Sequence, residues 1–324
     1  MKKFVPIALI LLIGASVLAG CARQNKPIET STGDKLSVVA TIFPPYDFTR
    51  AVAGDSADVT MLLPPASESH SFEPTPQDII KIQNCDVFIY VGGESDEWVN
   101  EVLSSMDTSG MKIVTLMDCV DVVEEEIVEG MEDEEEAEDP AGSGEAEEPE
   151  YDEHVWTSPE NAKLIVQKIS DALCEADAAG ATTYKQNTAA YLSKLDALDS
   201  AFQTVVDAAA RKTLVFGDRF PFRYFADAYG LTYFAAFPGC STETEASAAT
   251  VKFLIDKINA EKIPVVFHIE LSNEKMANTI SEATGAKVLL LHACHNISKA
   301  DFEAGKTYLD IMTANVTVLK EALQ

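Results

Sequence analysis

The sequence predicts an α/β protein of two similar lobes, each a mostly parallel four-stranded sheet flanked by helices, with one long helix between the two halves of the chain. Three observations carry this. Short apolar runs of strand length alternate with helical patterns through both halves of the chain, the signature of parallel sheets. The order of strands and helices in the first half recurs in the second. Between the halves, apolar side chains fall at 184, 191, 195, 198, 202, 205 and 209, with no proline or glycine among them. That spacing is a helical stripe, and a helix of this length spans roughly 40 Å. It either runs from one lobe to the other or packs within one. The expected organisation is residues 1–21 as a lipoprotein signal, 22–34 as a tether, 35–180 as the first lobe, 181–210 as the linking helix and 211–324 as the second lobe.

The chain begins with a short basic stretch, Met1-Lys2-Lys3, followed by the apolar run Phe4–Leu18. The run is short for a membrane span and has the length of a signal-peptide core. It ends in Leu18-Ala19-Gly20-Cys21, small residues before a cysteine, which resembles a bacterial lipobox with Cys21 as the lipid-bearing residue. The alternative is an uncleaved anchor helix. The polar stretch 22–34 reads as a flexible tether. An exported, lipid-anchored protein on the outer face of the cell membrane is expected, where disulfides are allowed.

In the first lobe, Lys35–Phe43 reads as a strand and Tyr46–Ala53 as a short helix stopped by Gly54. Val59–Leu63 is a second strand, ending at Pro64-Pro65, and a polar loop carrying His70 follows. Thr75-Pro76-Gln77-Asp78 is a helix start: Thr75 as N-cap, Pro76 in the first turn, Asp78 closing a capping box. Val87–Val91 is a strand closed by Gly92-Gly93, Asp96–Ser105 is helical, and Met111–Met117 is a fourth strand. An acidic loop, 124–153, comes next. It holds 17 Asp and Glu and no Lys or Arg, so −17 of the net charge of −29 comes from thirty residues. Such a run is chiefly a solvated, self-repelling loop and secondarily a weak collector of cations. It ends at His154, just before Ser158-Pro159-Glu160, an N-cap with proline at the first helical position. A helix start disfavours a charged histidine, which leaves a neutral imidazole able to bind metal.

In the second lobe, Lys212–Phe216, Leu231–Phe237, Ile263–Glu270 and Ala286–His292 are strand candidates. Pro221–Tyr229, Glu245–Ala260, Ser272–Thr284 and Lys306–Leu323 are helical, with Gly230 and Gly285 as stops. About 290 residues follow the tether, enough for two lobes, and 47% of the chain is apolar, enough for a full core. The acidic balance argues against a nucleic-acid partner.

Ligands of open α/β sheets bind beyond the carboxyl ends of the strands. Metal-ligating side chains cluster there: His70 and His154 in the first lobe, Asp218, Glu270, His292 and His295 in the second. Imidazole with carboxylate suits zinc, and manganese or iron where carboxylate dominates. The long spacings match no compact zinc motif. His268 lies within a strand and reads as packed, and His292 is either a ligand or a strand-end residue. A cleft between two sets of strand ends would make one shared site.

With these residues in view, the chain resembles the metal-specific solute-binding proteins of bacterial ABC transporters, the zinc/manganese family. The likeness spans essentially the mature chain. It rests on Val39-Ala40-Thr41-Ile42-Phe43-Pro44-Pro45-Tyr46, Ser69-His70-Ser71-Phe72-Glu73-Pro74-Thr75-Pro76 and His154-Val155-Trp156-Thr157-Ser158-Pro159. It continues in Tyr224-Phe225-Ala226-Asp227-Ala228-Tyr229-Gly230-Leu231 and Gly305-Lys306-Thr307-Tyr308-Leu309-Asp310-Ile311-Met312. The resemblance implies two lobes on one rigid helix, with the metal between them. It puts the family's first two ligands on His70 and His154, the third on Arg219 and the fourth on His295. Arginine cannot ligate a metal, so Asp218 or Glu270 could replace it, or the zinc keeps a water. Glu270 is preferred because it ends a central strand, leaving Arg219 to pair with Asp218 or another nearby carboxylate. The expected site is therefore His70, His154, His295 and Glu270, with zinc favoured over manganese as the transported ligand.

Five cysteines remain besides Cys21. Cys85 and Cys119 fall at opposite edges of parallel strands, too far apart to bridge. Cys240 and Cys294 follow strands on the same edge and are the expected disulfide, with a thiolate ligand at Cys294 as the alternative. Cys174 reads as buried on a helix. The expected function is a lipid-anchored monomer that captures zinc and passes it to an ABC permease in the membrane. A secreted zinc metallohydrolase and a manganese-binding surface adhesin are the rival classes. The chain has no His-Glu-x-x-His motif for the first of these.

Overall fold

A computed structural model describes residues 35–131, 150–241 and 246–324. The signal segment with Cys21, the tether and most of the acidic loop lie outside the described residues. In chain order the elements are β1 (Leu36–Ala40), α1 (Phe43–Ala53), β2 (Ala57–Met61), α2 (Pro76–Gln83), β3 (Val87–Tyr90), α3 (Glu97–Ser104), β4 (Lys112–Thr115), α4 (Pro159–Ala176) and α5 (Ala181–Asp207). The second half follows with β5 (Thr213–Val215), β6 (Arg219–Phe220), α6 (Arg223–Tyr229), β7 (Thr232–Phe234), β8 (Phe237–Pro238), α7 (Ala248–Glu261), β9 (Val265–His268), α8 (Lys275–Thr284), β10 (Lys287–Leu290), α9 (Lys299–Glu303) and α10 (Tyr308–Leu323). Among the described residues no helix is long and apolar enough to cross a membrane.

Local chemistry accounts for the element ends. Thr75 and Asp78 form the reciprocal capping box that starts α2, with Thr75 N donating to Asp78 Oδ2 at 3.0 Å. Ser158 caps α4 ahead of Pro159. Gly230 and Gly285 stop their helices in the left-handed region, at φ 61° and 79°. The strands are shorter than the apolar runs suggest. Phe43, Pro44 and Pro45 are the first turn of α1 rather than the end of a strand, because proline costs nothing where the helix has no acceptor for its N–H.

The first lobe holds one parallel sheet in the order β2-β1-β3-β4. The second lobe keeps that order in pieces. β5 pairs in parallel with β7 and β9 with β10, and a single parallel bridge, Phe216 to Phe267, joins the two pairs. The sheet order is thus β7-β5-β9-β10. The continuous four-stranded ladder expected here is interrupted because β5 is only three residues long and then turns through Gly217 into β6. A short parallel pair, β6 with β8, carries the polar residues after that turn.

The long helix α5 packs against both lobes. Its N-terminal half is tied to the first lobe by Asn187 Nδ2 donating to Val52 O at 2.9 Å. Its C-terminal half sets Phe202 edge-on to Phe225 of the second lobe, ring centroids 4.8 Å apart. Helix α10 returns alongside α5 to the first lobe, where Tyr308 stacks edge-on against Phe48 and its N–H meets the Asp47 carboxylate at 2.8 Å. One apolar core consequently runs through both halves.

Candidate metal centre

The topology aims three loops at one point. His70 lies between β2 and α2, His154 before the turn that starts α4, and His295 after β10. Their ring centroids are 4.4 Å (His154–His295), 5.2 Å (His70–His295) and 5.7 Å (His70–His154) apart. One nitrogen of each lies within 4.8 Å of the other two. All three Nε2 atoms are buried without a hydrogen-bond partner. A buried polar atom left unpaired costs about 1–3 kcal/mol, so three of them facing one another mark a ligand position. Tetrahedral zinc needs nitrogens about 3.4 Å apart at bonds of about 2.0–2.1 Å, and the three nitrogens here all lie within 4.8 Å of one another.

The Nδ1 side of each ring faces a carboxylate or a carboxylate-bound serine. His154 Nδ1 meets Asp152 Oδ1 at 2.9 Å. His70 Nδ1 meets Ser95 Oγ at 2.8 Å, and Ser95 N–H donates to Glu153 Oε1 at 2.8 Å. His295 Nδ1 lies 3.7 Å from Glu270 Oε1, which accepts the His295 backbone N–H at 2.8 Å. A proton held on Nδ1 leaves the Nε2 lone pair for a metal, and partners of this kind fix both tautomer and ring orientation.

Charge is distributed unevenly over the trio. Burial pushes the His70 imidazole well below its ordinary value, and the His295 and His154 rings and Arg219 push the same way. His295 is lowered too, by burial and then by His154. Burial also opposes protonation of His154, but the Asp152 carboxylate, with Glu153 and Glu125 behind it, leaves its pKa raised. Burial alone would raise the Glu270 carboxyl. His292 and His295 instead hold it at about 2, so it stays ionised.

Glu270 is not a member of the histidine cluster. Its oxygens accept the backbone N–H groups of Ala293 and His295 at 2.7 and 2.8 Å, which turns the carboxylate to the back of His295. Glu270, the expected fourth ligand, follows its strand as expected, and in this structure its side chain braces the loop after β10 rather than joining the three rings. Asp218 likewise accepts the N–H groups of Arg219 and Ile269. Arg219 pairs not with Asp218 but with Glu68, NH2 to Oε2 at 3.1 Å. His292 Nδ1 accepts the Cys294 N–H at 3.0 Å, and His268 Nδ1 sits 2.9 Å from Ile269 O, so both stay outside the cluster.

The Cys240–Cys294 bridge is absent, and all five cysteines among the described residues are free. Cys294 is fully buried in the core, with Tyr308 among its neighbours. Cys240 follows β8 and its N–H donates to Glu125. Sharing a sheet edge did not bring their side chains together. Glu125, Glu150 and Cys240 form a second group of ligand-type residues beside the acidic run, where Glu125 is already engaged by that N–H.

Several contributors lie outside the residues that the sequence pattern singles out. Asp152 and Glu153 belong to the acidic loop in sequence, and their adjacency to His154 is the signal that marks them. Trp156 walls the site, its ring 5.6 Å from His154 and 5.3 Å from His295, with Nε1–H held by Ala293 O. Gly239 lets β8 close over His154: a Cβ there would meet the ring at 2.9 Å. Nothing local in the sequence points to Ser95 or Glu68.

Residues 38–322 match the model of the family described as ZnuA, zinc-uptake complex component A periplasmic. The zinc-binding lipoprotein AdcA of Streptococcus pneumoniae is 33% identical over 322 residues, 99% of this chain and 61% of that protein. The chain thus spans about three fifths of that relative's length. The high-affinity zinc uptake system protein ZnuA of Bacillus subtilis is 33% identical over 321 residues, covering 99% of this chain and 96% of that one. Among solved structures, the Zn(II)-bound ZnuA-like domain of Streptococcus pneumoniae AdcA superposes with a TM-score of 0.73 at 30% identity, over 89% of this chain and 99% of that one. The metal-dependent lipoprotein YcdH of Bacillus subtilis gives 0.75 at 30% identity, over 90% and 100%. With two lobes, one spanning helix and a histidine cluster between them, the chain belongs to the ZnuA family of zinc-uptake components.

Proposed function

We propose that this protein is the capture component of a zinc uptake system. It binds one zinc ion between its lobes through His70, His154 and His295, and delivers it to an ABC permease. The observation that carries the reading is the convergence of three unpartnered Nε2 atoms, each on a ring whose other nitrogen faces a carboxylate or a carboxylate-bound serine. Three imidazoles with no carboxylate in the cluster favour zinc over manganese. Glu270, Asp152 and the Ser95–Glu153 pair act as positioning residues. A hydrolase would need a general base beside the open fourth position. Asp152 and Glu270 stand on the Nδ1 sides of their rings, Glu153 holds Ser95, and Glu68 is paired with Arg219, which favours a binding protein over an enzyme.

Cys21 is proposed as the lipid anchor, with the folded part outside the cytoplasm. Cys21→Ser is expected to release the protein from membranes or leave it unprocessed, and a wild-type mature N-terminus found unmodified at another residue would end that idea. The acidic loop assists capture without making the main site, because carboxylates on a loop bind zinc weakly before ordering entropy is counted.

Elemental analysis of protein purified without added metal tests the metal, with one zinc per chain expected. Calorimetry on His70→Ala, His154→Ala and His295→Ala tests the site, each expected to lose orders of magnitude in zinc affinity. A His295→Ala variant that binds like wild type would remove the second lobe from the site.

A further inference from the structure

Arg219 and Glu68 meet at the edge of the histidine cluster, from opposite lobes. Arg219 NH2 lies 3.1 Å from Glu68 Oε2, and NH1 lies 3.5 Å from Oε1. Glu68 stands two residues before His70 on the same loop, and Oε1 also accepts the Ser69 N–H at 3.1 Å. The two partners are held unequally. Arg219 is 14% exposed, its NH1 also donates to Ser241 O at 2.9 Å, and its backbone N–H is fixed by Asp218. Glu68 is 45% exposed, and among the described residues its carboxylate is held by Arg219 and by the backbone N–H groups of Ser69 and His70. The guanidinium is anchored within the second lobe, whereas the carboxylate, apart from Arg219, is tied only to backbone N–H groups of its own loop, the loop that carries His70.

The surrounding carboxylates are committed elsewhere. Asp152 holds His154, Glu153 holds Ser95, and Glu270 holds the backbone of the His295 loop. Glu68 and Arg219 both lie close enough to His295 to act on it electrostatically, and Arg219 acts on His70 as well. Glu68 is therefore the carboxylate that a metal at the cluster could recruit, and Arg219 is what it would have to be taken from. The distinction matters because a fourth ligand of oxygen suits manganese, whereas three imidazoles suit zinc. A bidentate guanidinium is also a geometrically matched partner for a carboxylate, which raises the cost of taking it away.

We propose that Arg219 is a specificity-determining residue: it withholds the Glu68 carboxylate from the metal and so keeps manganese out of a site built for zinc. This rests on the three-histidine reading above. The pair also balances charge, since Arg219 unpaired would oppose any cation arriving at the cluster.

The test is competitive chelator titration of the full chain with Zn²⁺ and with Mn²⁺, in wild type, Arg219→Met, Glu68→Gln and the double variant. Arg219→Met is expected to gain Mn²⁺ affinity by about tenfold or more, with a smaller change for Zn²⁺. The double variant is expected to return to wild-type Mn²⁺ affinity. Glu68→Gln is expected to bind Zn²⁺ more weakly, because it leaves Arg219 unpaired. If Arg219 only clamps the lobes together, Arg219→Met and the double variant will lose both metals in parallel, and the proposal falls. It also falls if Arg219→Met binds Mn²⁺ no better than wild type, or if the gain survives in the double variant. Arg219→Gln, which keeps a donor for Ser241 O, carries the same test should Arg219→Met melt too low. A wild-type site indifferent to His295→Ala would overturn the three-histidine reading itself. Intact histidine dependence without a manganese gain would overturn only this inference.

Discussion

Zinc can enter only when all three imidazoles are neutral, and the three differ in how they resist a proton. His70 is pushed low by burial and by His295 and His154, and His295 by burial and by His154, so both stay neutral through the physiological range. His154 is pushed up by Asp152, so it is the first of the three to take up a proton as pH falls, and that proton is the one zinc must displace. The sign follows: affinity is flat above the raised His154 pKa and falls as pH drops through it. One competing proton gives a slope of about tenfold per pH unit, where three ordinary histidines would give a steeper one near 6.5. Zinc titrations from pH 8 to 5.5 measure that slope, and a slope near three would contradict this assignment. Asp152→Asn is expected to cost about 10–100-fold in affinity at pH 8 and to move the fall to lower pH, a shift that a merely structural lesion would not produce. The histidines were legible in the sequence because each follows a strand or precedes a helix. Glu270 was legible as a strand-end carboxylate but not in its direction, which depends on two N–H groups more than twenty residues away. The Arg219–Glu68 pair spans 151 residues, and no local pattern encodes it.

The elements owe their placement to two kinds of signal, and only one is visible in sequence. Caps and stops are local, so Thr75, Ser158, Gly230 and Gly285 mark their helices directly. Thr75→Ala is expected to cost about 1 kcal/mol in denaturant unfolding, the usual value of an N-cap, with no effect on zinc affinity. Sheet continuity is not local. The second lobe's apolar runs predict four full strands, yet β5 stops after three residues, and a single bridge carries the ladder across. The long helix was legible from its apolar stripe because that stripe is buried from Tyr184 to Phe202; at the C-terminal end Val206 is buried where the stripe has Val205, and Ala209 lies past the helix. Its role as a strut rests on packing at both ends. Phe202 is fully buried against Phe225 and Tyr229, so Phe202→Ala is expected to destabilise by about 3–5 kcal/mol. A loss under about 1 kcal/mol by urea midpoint would mean that the second lobe does not depend on this contact. The return of α10 to the first lobe through Tyr308 and Asp47 was not legible, since it pairs residues 261 positions apart.

At the scale of the molecule, the lobes are joined on the cleft side as well as through α5. Asn296, next to His295, donates to Pro64 O and Ser67 O at 2.8 Å, and Ala66 N–H donates to Ile297 O at 2.8 Å. These bonds fasten the His70 loop to the His295 loop. A zinc ion held by both adds a further tie, so saturating zinc is expected to raise the melting temperature by mass action, about 2.7 kcal/mol at a hundredfold excess over Kd. Asn296→Ala is expected to loosen the His70 loop, seen as faster hydrogen exchange over residues 64–72, and to reduce zinc affinity without removing a ligand. The most direct test of the central claim is the zinc X-ray absorption spectrum of the loaded protein. Three imidazole rings with nitrogens at about 2.0–2.1 Å are expected, completed by one light ligand. A sulfur scatterer at about 2.3 Å, or a first shell with fewer than two imidazoles, would contradict it.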